Sequence, residues 1–279
     1  MPQDSRRNCH TDESYHPDRF LSICKFNTQN NTTVINDNGL RIDGRSSSDS
    51  RPIFLETGFV TRSKGSSYIE IGNTKVICAC YGPKQLQSKD TGLRKGVLSC
   101  ELKYASFASA VHKTDQANML EKEYSVLMVD ALSPCIILDR FPKAQVDIFV
   151  TILEDGGSAF PAAITAASLA LADAGIELYS LAIGASLQQH KEWALVDPTH
   201  EEENMVALLG ECTGSLCIAY MPGLSQVSMV SQQGYITHQQ LSQGMVTLIE
   251  LCKDVSTLVR RCLVNSIQRK GQQESSVGD

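Results

Sequence analysis

AQVDIFVTILEDGGSAFPAAITAASLALADAG, residues 144–175, is the stretch on which the fold turns. It opens as a strand: Val146, Ile148, Val150 and Ile152 alternate with their neighbours and fall on one face of an extended chain. Glu154-Asp155-Gly156-Gly157 interrupts that period, and a helical segment follows. Pro161 stands near its start and Gly175 just past its end, the usual asymmetry of helix termini. Eight of the sixteen residues from Ala159 to Ala174 are Ala, with Ile164, Leu169 and Leu171 among them. A helix apolar nearly all round, with small side chains, is buried and lets its neighbours approach closely. The expectation is a strand, a Gly-Gly turn and a buried Ala-rich helix at the centre of the fold.

Working outward, the upstream sequence keeps a period of two. Residues 68–71 and 74–78 flank Gly72-Asn73, a two-residue hairpin signal, and residues 98–104 read as a third strand. Residues 119–132 switch to a helical period with Leu120, Tyr124, Leu127, Met128 and Ala131 on one stripe, ending before Pro134. Downstream of Gly175, short strands are expected at 181–187, 192–196, 206–209, 215–220 and 226–231. A long last helix begins at Thr237, where Thr237 and Gln240 have capping-box spacing. Its stripe runs Leu241, Met245, Leu248, Leu251, Val255, Leu258, Cys262, and Arg260, Arg261, Arg269 and Lys270 lie toward its C-terminal end. Strands and helices in this order make an α+β fold.

Residues 1–50 contain no Ala and one Val, and are rich in Asn, Asp, Ser and Thr. Such composition buries too little apolar surface to offset its ordering entropy, so a disordered extension is expected there, with a folded domain over residues 51–271 and a disordered tail at 272–279. The chain has 279 residues, 42% hydrophobic, enough for a sizeable core. Twenty-five Lys and Arg against 31 Asp and Glu leave a net charge of −6, which argues against a strongly basic nucleic-acid clamp. Without an 18-residue apolar run or a signal-like N-terminus, neither membrane insertion nor export is expected.

Ten cysteines include no C-x-x-C pair, and the six histidines stand at no zinc-ligand spacing to them, so no metal and no cofactor is expected. Cys78, Cys80, Cys135, Cys217, Cys252 and Cys262 lie in apolar surroundings and read as reduced, buried residues.

Gly156-Gly157-Ser158 joins a strand to a helix N-terminus, where free N–H groups and the helix dipole suit an anion. On its own, such a turn is usually only a turn. It belongs, however, to an ordered series: Arg51-Pro52, Gly65-Ser66, Gly72-Asn-Thr-Lys-Val76, Glu154-Asp-Gly-Gly157, Ala170-Leu-Ala-Asp-Ala-Gly175, Val196-Asp-Pro-Thr199 and Glu201-Glu-Glu203. This series resembles the RNase PH family, from Arg51 to about Arg269, and within it the subunits of the eukaryotic RNA exosome ring.

The resemblance implies an RNase PH-like fold (ribosomal protein S5 domain 2-like) of paired β-α units. It implies a partner of the same fold, side by side as a heterodimer within a six-membered ring, with S1/KH cap subunits, an associated hydrolytic nuclease, and RNA through the channel. It implies rRNA processing and mRNA turnover, in nucleus, nucleolus and cytoplasm. Active members attack the 3′ end of RNA with phosphate held by a Gly-Gly-Thr-Arg turn and a second Arg, and an acidic side chain serves as general acid. Here the turn reads Gly156-Gly157-Ser158-Ala159, and a methyl group cannot replace a bidentate guanidinium. Basic residues expected three and seven positions after a Glu become, counted from Glu123, Val126 and Asp130; residues 105–115 offer His112 and Lys113 but no Arg. The general-acid position falls on Asp197, on one of Glu201, Glu202 and Glu203, or on Asn204; read without the family, these are a turn and a solvated acidic face.

Basic groups lie at Arg62 and Lys64, Arg94 and Lys95, and Arg140 and Lys143. They are scattered surface charges or, alternatively, loops at a ring entrance that touch RNA backbone; no interleaved aromatics point to base stacking. The expectation is a non-catalytic ring subunit, set against an active phosphate-dependent exoribonuclease and a free-standing RNA-binding module.

Overall fold

A computed structural model describes residues 40–85, 95–108, 115–190, 193–209 and 213–277. The strands are β1 (Ile53–Thr57), β2 (Gly65–Ile71), β3 (Thr74–Gln85), β4 (Val97–Tyr104), β5 (Ala144–Glu154), β6 (Ile183–His190), β7 (Trp193–Val196), β8 (Thr213–Met221) and β9 (Gln226–Gly234). The helices are α1 (Asp115–Leu132), α2 (Ala159–Asp173), α3 (His200–Leu209) and α4 (His238–Val277). One sheet has the order β1-β2-β3-β5-β4 and the other β7-β6-β8-β9. All pairings are antiparallel except β4 with β5, which are joined through α1 as a β-α-β unit.

Helix α2 lies between the sheets, touching β2 and β3 on one side and β6 on the other. Every residue from Ala159 to Leu171 is buried. Its small side chains permit backbone contact on both flanks: a Cβ on Gly65 of β2 would stand 2.2 Å from the Ala174 nitrogen, and one on Gly184 of β6 would stand 2.4 Å from the Pro161 oxygen. Polar groups of the helix serve the sheets rather than solvent. Gly184 N–H donates to Thr165 Oγ1, Ala182 N–H to Ser168 Oγ, and Ser67 Oγ donates to the Ala166 carbonyl. The strand faces follow the expected alternation, with Val146, Ile148, Val150 and Ile152 buried beside Val76, Cys78 and Cys80. The hairpin closes as expected, Ile71 opposite Thr74, with Gly72 in the left-handed region. Helix α4 packs on β1, β6 and β8 through Leu248, Cys252, Val255 and Val259, while Leu258, expected inside, is exposed. Among the described cysteines none is bonded to another.

Three expectations change. Residues 206–209 are helical, not a strand, because Thr199 and Glu202 form a capping box that starts α3: Thr199 N–H donates to Glu202 Oε2 at 2.8 Å and Glu202 N–H to Thr199 Oγ1 at 3.3 Å. Helix α4 continues to Val277, into the tail expected at 272–279. The packed chain begins ahead of Arg51: Arg41 is buried, donating to the Val196 carbonyl at 2.7 Å and lying 3.6 Å from Glu202, itself buried. Arg41, together with Arg45 donating to the Asp197 carbonyl and Val196 N–H donating to the Ser47 carbonyl, docks residues 40–50 onto the second sheet, which bulk composition cannot reveal. The remaining part of the expected extension, residues 1–39, lies outside the described residues.

Candidate functional site

The site is built where β5 ends and α2 begins. Gly157 and Ser158 both take left-handed backbone angles, φ 95° and 52°. Gly157 must be glycine for a second reason: a Cβ there would lie 2.5 Å from the His200 nitrogen, so residues 198–200 pass directly against the turn. Three elements hold it. Thr74 at the start of β3 donates to the Gly157 carbonyl at 2.6 Å. Arg51 donates to the Gly156 and Gly157 carbonyls at 2.8 and 2.9 Å. From the far sheet, His200 N–H donates to the Gly156 carbonyl, Ser158 Oγ to Pro198, and Ser186 Oγ lies 2.9 Å from Ser158 Oγ.

The two N–H groups of this turn that would greet an anion are already engaged by carboxylates of the chain itself. Gly157 N–H donates to Asp155 Oδ1 at 3.3 Å, and Ser158 N–H to Glu203 Oε1 at 3.0 Å. Burial pushes the Glu203 carboxyl up to about 7 against the Ser158 hydrogen bond that works the other way. Ala159 follows with a buried methyl group. In front of the turn is a cavity of about 240 Å³, lined by residues of both sheets, α1, α2 and α3. Its walls include Tyr104, Tyr124 and Phe160, the hydroxyls of Ser186, Ser215 and Ser231, and Gln233; no Lys or Arg is among the described lining residues.

Asp197 does not face that cavity as an acid. Its carboxylate accepts a bidentate pair from Arg51, Nε to Oδ2 at 2.9 Å and Nη2 to Oδ1 at 2.6 Å, and a third bond from Arg51 N–H. Burial works to raise it, yet Arg51 holds the carboxyl below its ordinary value, so it is ionised and has no proton to give at neutral pH. The acidic run is not a uniform solvated face: Glu201 is exposed, Glu202 is buried as a cap and as Arg41's partner, and Glu203 turns to the Ser158 amide. Asn204 is exposed at the cavity rim. Val126 and Asp130 lie on the exposed face of α1; His112 and Lys113 lie outside the described residues.

The basic candidates gather elsewhere. Gly65 pairs with Cys80, Gln85 with Ala144 and Val97 with Gln145, so the residues before β2, β4 and β5 share one end of the first sheet. Arg62, Lys64, Lys95, Arg140 and Lys143 are exposed there, at the end opposite the Gly-Gly turn. Lys95 is 3.5 Å from Asp139 and Arg140 is 3.2 Å from Glu177, so two of these five cations face a carboxylate. Arg94 lies outside the described residues.

Sequence reasoning missed the aromatic wall and the inward turn of Glu203. The stacked pair Tyr124–Phe160 joins α1 to α2, and Ser215 and Gln233 come from β8 and β9. Only the Thr199-x-x-Glu202 spacing hinted that the acidic run opens a helix.

Residues 49–177 match the model of the 3′ exoribonuclease family, domain 1 (RNase PH). Over 239 residues the chain is 34% identical to the human exosome complex component MTR3, covering 79% of this chain and 85% of that protein. It is 35% identical over 228 residues to an Arabidopsis thaliana exosome complex component RRP41-like, 81% and 85% covered. The fold matches the crystal structure of rice (Oryza sativa) Rrp46 with a TM-score of 0.69 and 22% identity, over 80% of this chain and 99% of that one. It matches a chain of the Archaeoglobus fulgidus exosome with RNA bound to the active site equally well in TM-score, 0.69, at 18% identity, over 79% and 92%.

Proposed function

The chain belongs to the RNase PH family of 3′ exoribonuclease domains, and we propose that within it the chain is a non-catalytic subunit of an RNA exosome ring. One observation carries the reading: the Ser158 amide at the helix N-terminus is taken by the Glu203 carboxylate, beside Ala159, where an Arg is needed. Phosphate entering this turn finds the Ser158 amide already engaged and a methyl group in place of a guanidinium. The loss of a charged clamp on the developing transition state costs about 10²-fold in rate. Asp197, locked to Arg51, supplies no general acid.

The role that fits is architectural. The chain stands beside another RNase PH-like subunit within a six-membered ring, under S1/KH caps, and passes RNA through the channel to a hydrolytic nuclease of the assembly. Its basic loop end, away from the degenerate turn, touches RNA backbone without reading sequence. The assembly serves rRNA processing and mRNA turnover in nucleus, nucleolus and cytoplasm. The support is that relatives 34–35% identical over about four fifths of the chain are named exosome components. The test is incubation of the purified full-length chain with single-stranded RNA, with and without phosphate. No nucleoside diphosphate should form, and the tagged chain should co-purify with other ring subunits in equal amount. Phosphate-dependent release of nucleoside diphosphate overturns the reading.

A further inference from the structure

The cavity at the degenerate turn is lined by polar and apolar side chains of several elements, and its described lining holds two carboxyl groups and no Lys or Arg. At about 240 Å³ it falls below the roughly 300–1,000 Å³ of drug-sized sites, so it suits one side chain or one small molecule. Tyr104, Tyr124 and Phe160 supply an aromatic wall, the last two stacked with centroids 4.7 Å apart. Asp155 and Glu203 are its acidic members, with Ser215 among its hydroxyl acceptors. His200 is the sole basic side chain among its described lining residues.

We propose that this cavity binds a cationic head, a primary ammonium or guanidinium on a short apolar stem. The proposal rests on the reading that phosphate has lost this turn. Aromatic faces attract a desolvated cation within about 6 Å of the ring, while the rings' apolar surface takes the stem. Glu203 commits Oε1 to the Ser158 amide, leaving Oε2 for a charge-assisted hydrogen bond to the head. The cation's charge also offsets the burial that lifts the Glu203 carboxyl to about 7: as it enters, the carboxyl ionises and its proton passes to solvent. Binding therefore strengthens as pH rises from about 6 to 8, a range in which an alkylammonium stays charged. Around Glu203 stand Asp155, Asp197, Arg51, Tyr104, Tyr124 and Cys217; Asp197 is held ionised by Arg51, and burial keeps the two tyrosines and the thiol protonated. His200 also lines the cavity, so His200→Gln is the control.

The head has two sources: a free cellular amine, or a Lys or Arg side chain of an adjacent subunit. Calorimetric titration of the full-length chain with n-butylammonium chloride, against n-butanol and butyrate, tests the chemistry. The ammonium should bind with one site, and the neutral and anionic stems should not. Glu203→Gln should weaken it roughly tenfold or more and remove the pH dependence, whereas His200→Gln should leave that dependence in place. Ser215→Lys places a tethered ammonium in the cavity and should block butylammonium while the chain stays folded, which keeps the test decisive if Glu203→Gln unfolds. Spermidine titrated into the chain alone and into its isolated assembly separates the sources: binding in both identifies a free amine, and loss in the assembly identifies a neighbour's side chain. The proposal is overturned by the absence of butylammonium binding up to about 10 mM at pH 8, or by equal binding of butanol or by Glu203→Gln. Phosphorolysis by the same preparation would refute the non-catalytic reading separately, through a different product.

Discussion

Arg51→Ala should be among the most damaging single changes to this chain, and its effect separates a structural from a catalytic role for Asp197. Arg51 is buried and donates through its side chain to Asp197, Thr74, Gly156 and Gly157. Truncation leaves the two glycine carbonyls satisfied, because Thr74 Oγ1 and His200 N–H still reach them at 2.6 and 2.9 Å. What loses its bidentate partner is the Asp197 carboxylate, whose side chain is 9% exposed; it keeps the backbone N–H of position 51 at 2.9 Å and the Arg45 guanidinium at 3.8 Å. Removing one partner of a buried pair costs about 3–5 kcal/mol. In a chain of this size that lowers Tm by roughly 6–20 °C. The sign with pH follows from the depressed carboxyl of Asp197: the stabilisation is complete above the ordinary carboxylate range and is lost as pH falls through the folded value. The gap between wild type and Arg51→Ala should therefore narrow as pH falls below the ordinary carboxylate range. Adding Asp197→Asn to Arg51→Ala should recover more than half of the loss, since the neutral amide removes the stranded charge. Thermal unfolding of the full-length variants followed by circular dichroism reads all of this. A Tm drop under about 3 °C, or no recovery in the double variant, refutes the reasoning.

A chain beginning at Arg51 should be less stable than one beginning at Leu40 by roughly 3 kcal/mol in urea unfolding, because Glu202 and the Val196 carbonyl lose Arg41 and Asp197 loses Arg45. Ala159→Arg alone should not yield nucleoside diphosphate from RNA and phosphate, since Asp155 and Glu203 still occupy the turn amides; the same product assay checks it. The Glu203 carboxyl, raised from 4.5 to about 7 by burial, holds a proton in the folded chain that the unfolded chain has released. Stability should thus fall by at most about 3 kcal/mol between pH values near 4.5 and 7 and level off above, and Glu203→Gln should flatten that slope in a urea series.

Local pattern carried the core of this fold. The alternation of Val146 to Ile152, the Gly72-Asn73 turn and the Ala-rich run after Gly157 each need only their own neighbours to be read, since side-chain period and turn chemistry are short-range properties. The same holds for the missing guanidinium at Ala159, visible as a residue type. A short apolar run is ambiguous between strand and helix, and residues 206–209 went the wrong way until the Thr199–Glu202 cap declared the helix. What only the tertiary structure decided depends on chain segments far apart. Arg41 meets Val196 across 155 positions, Arg51 meets Asp197 across 146, and Ser158 meets Glu203 across 45. Composition marked residues 40–50 as solvent-loving and the acidic run as a surface, because a charged side chain is ordinarily stable only in water. Here each is stable inside because a partner from another element satisfies it, and the identity of that partner is written in the packing of two sheets around α2, not in the residues on either side.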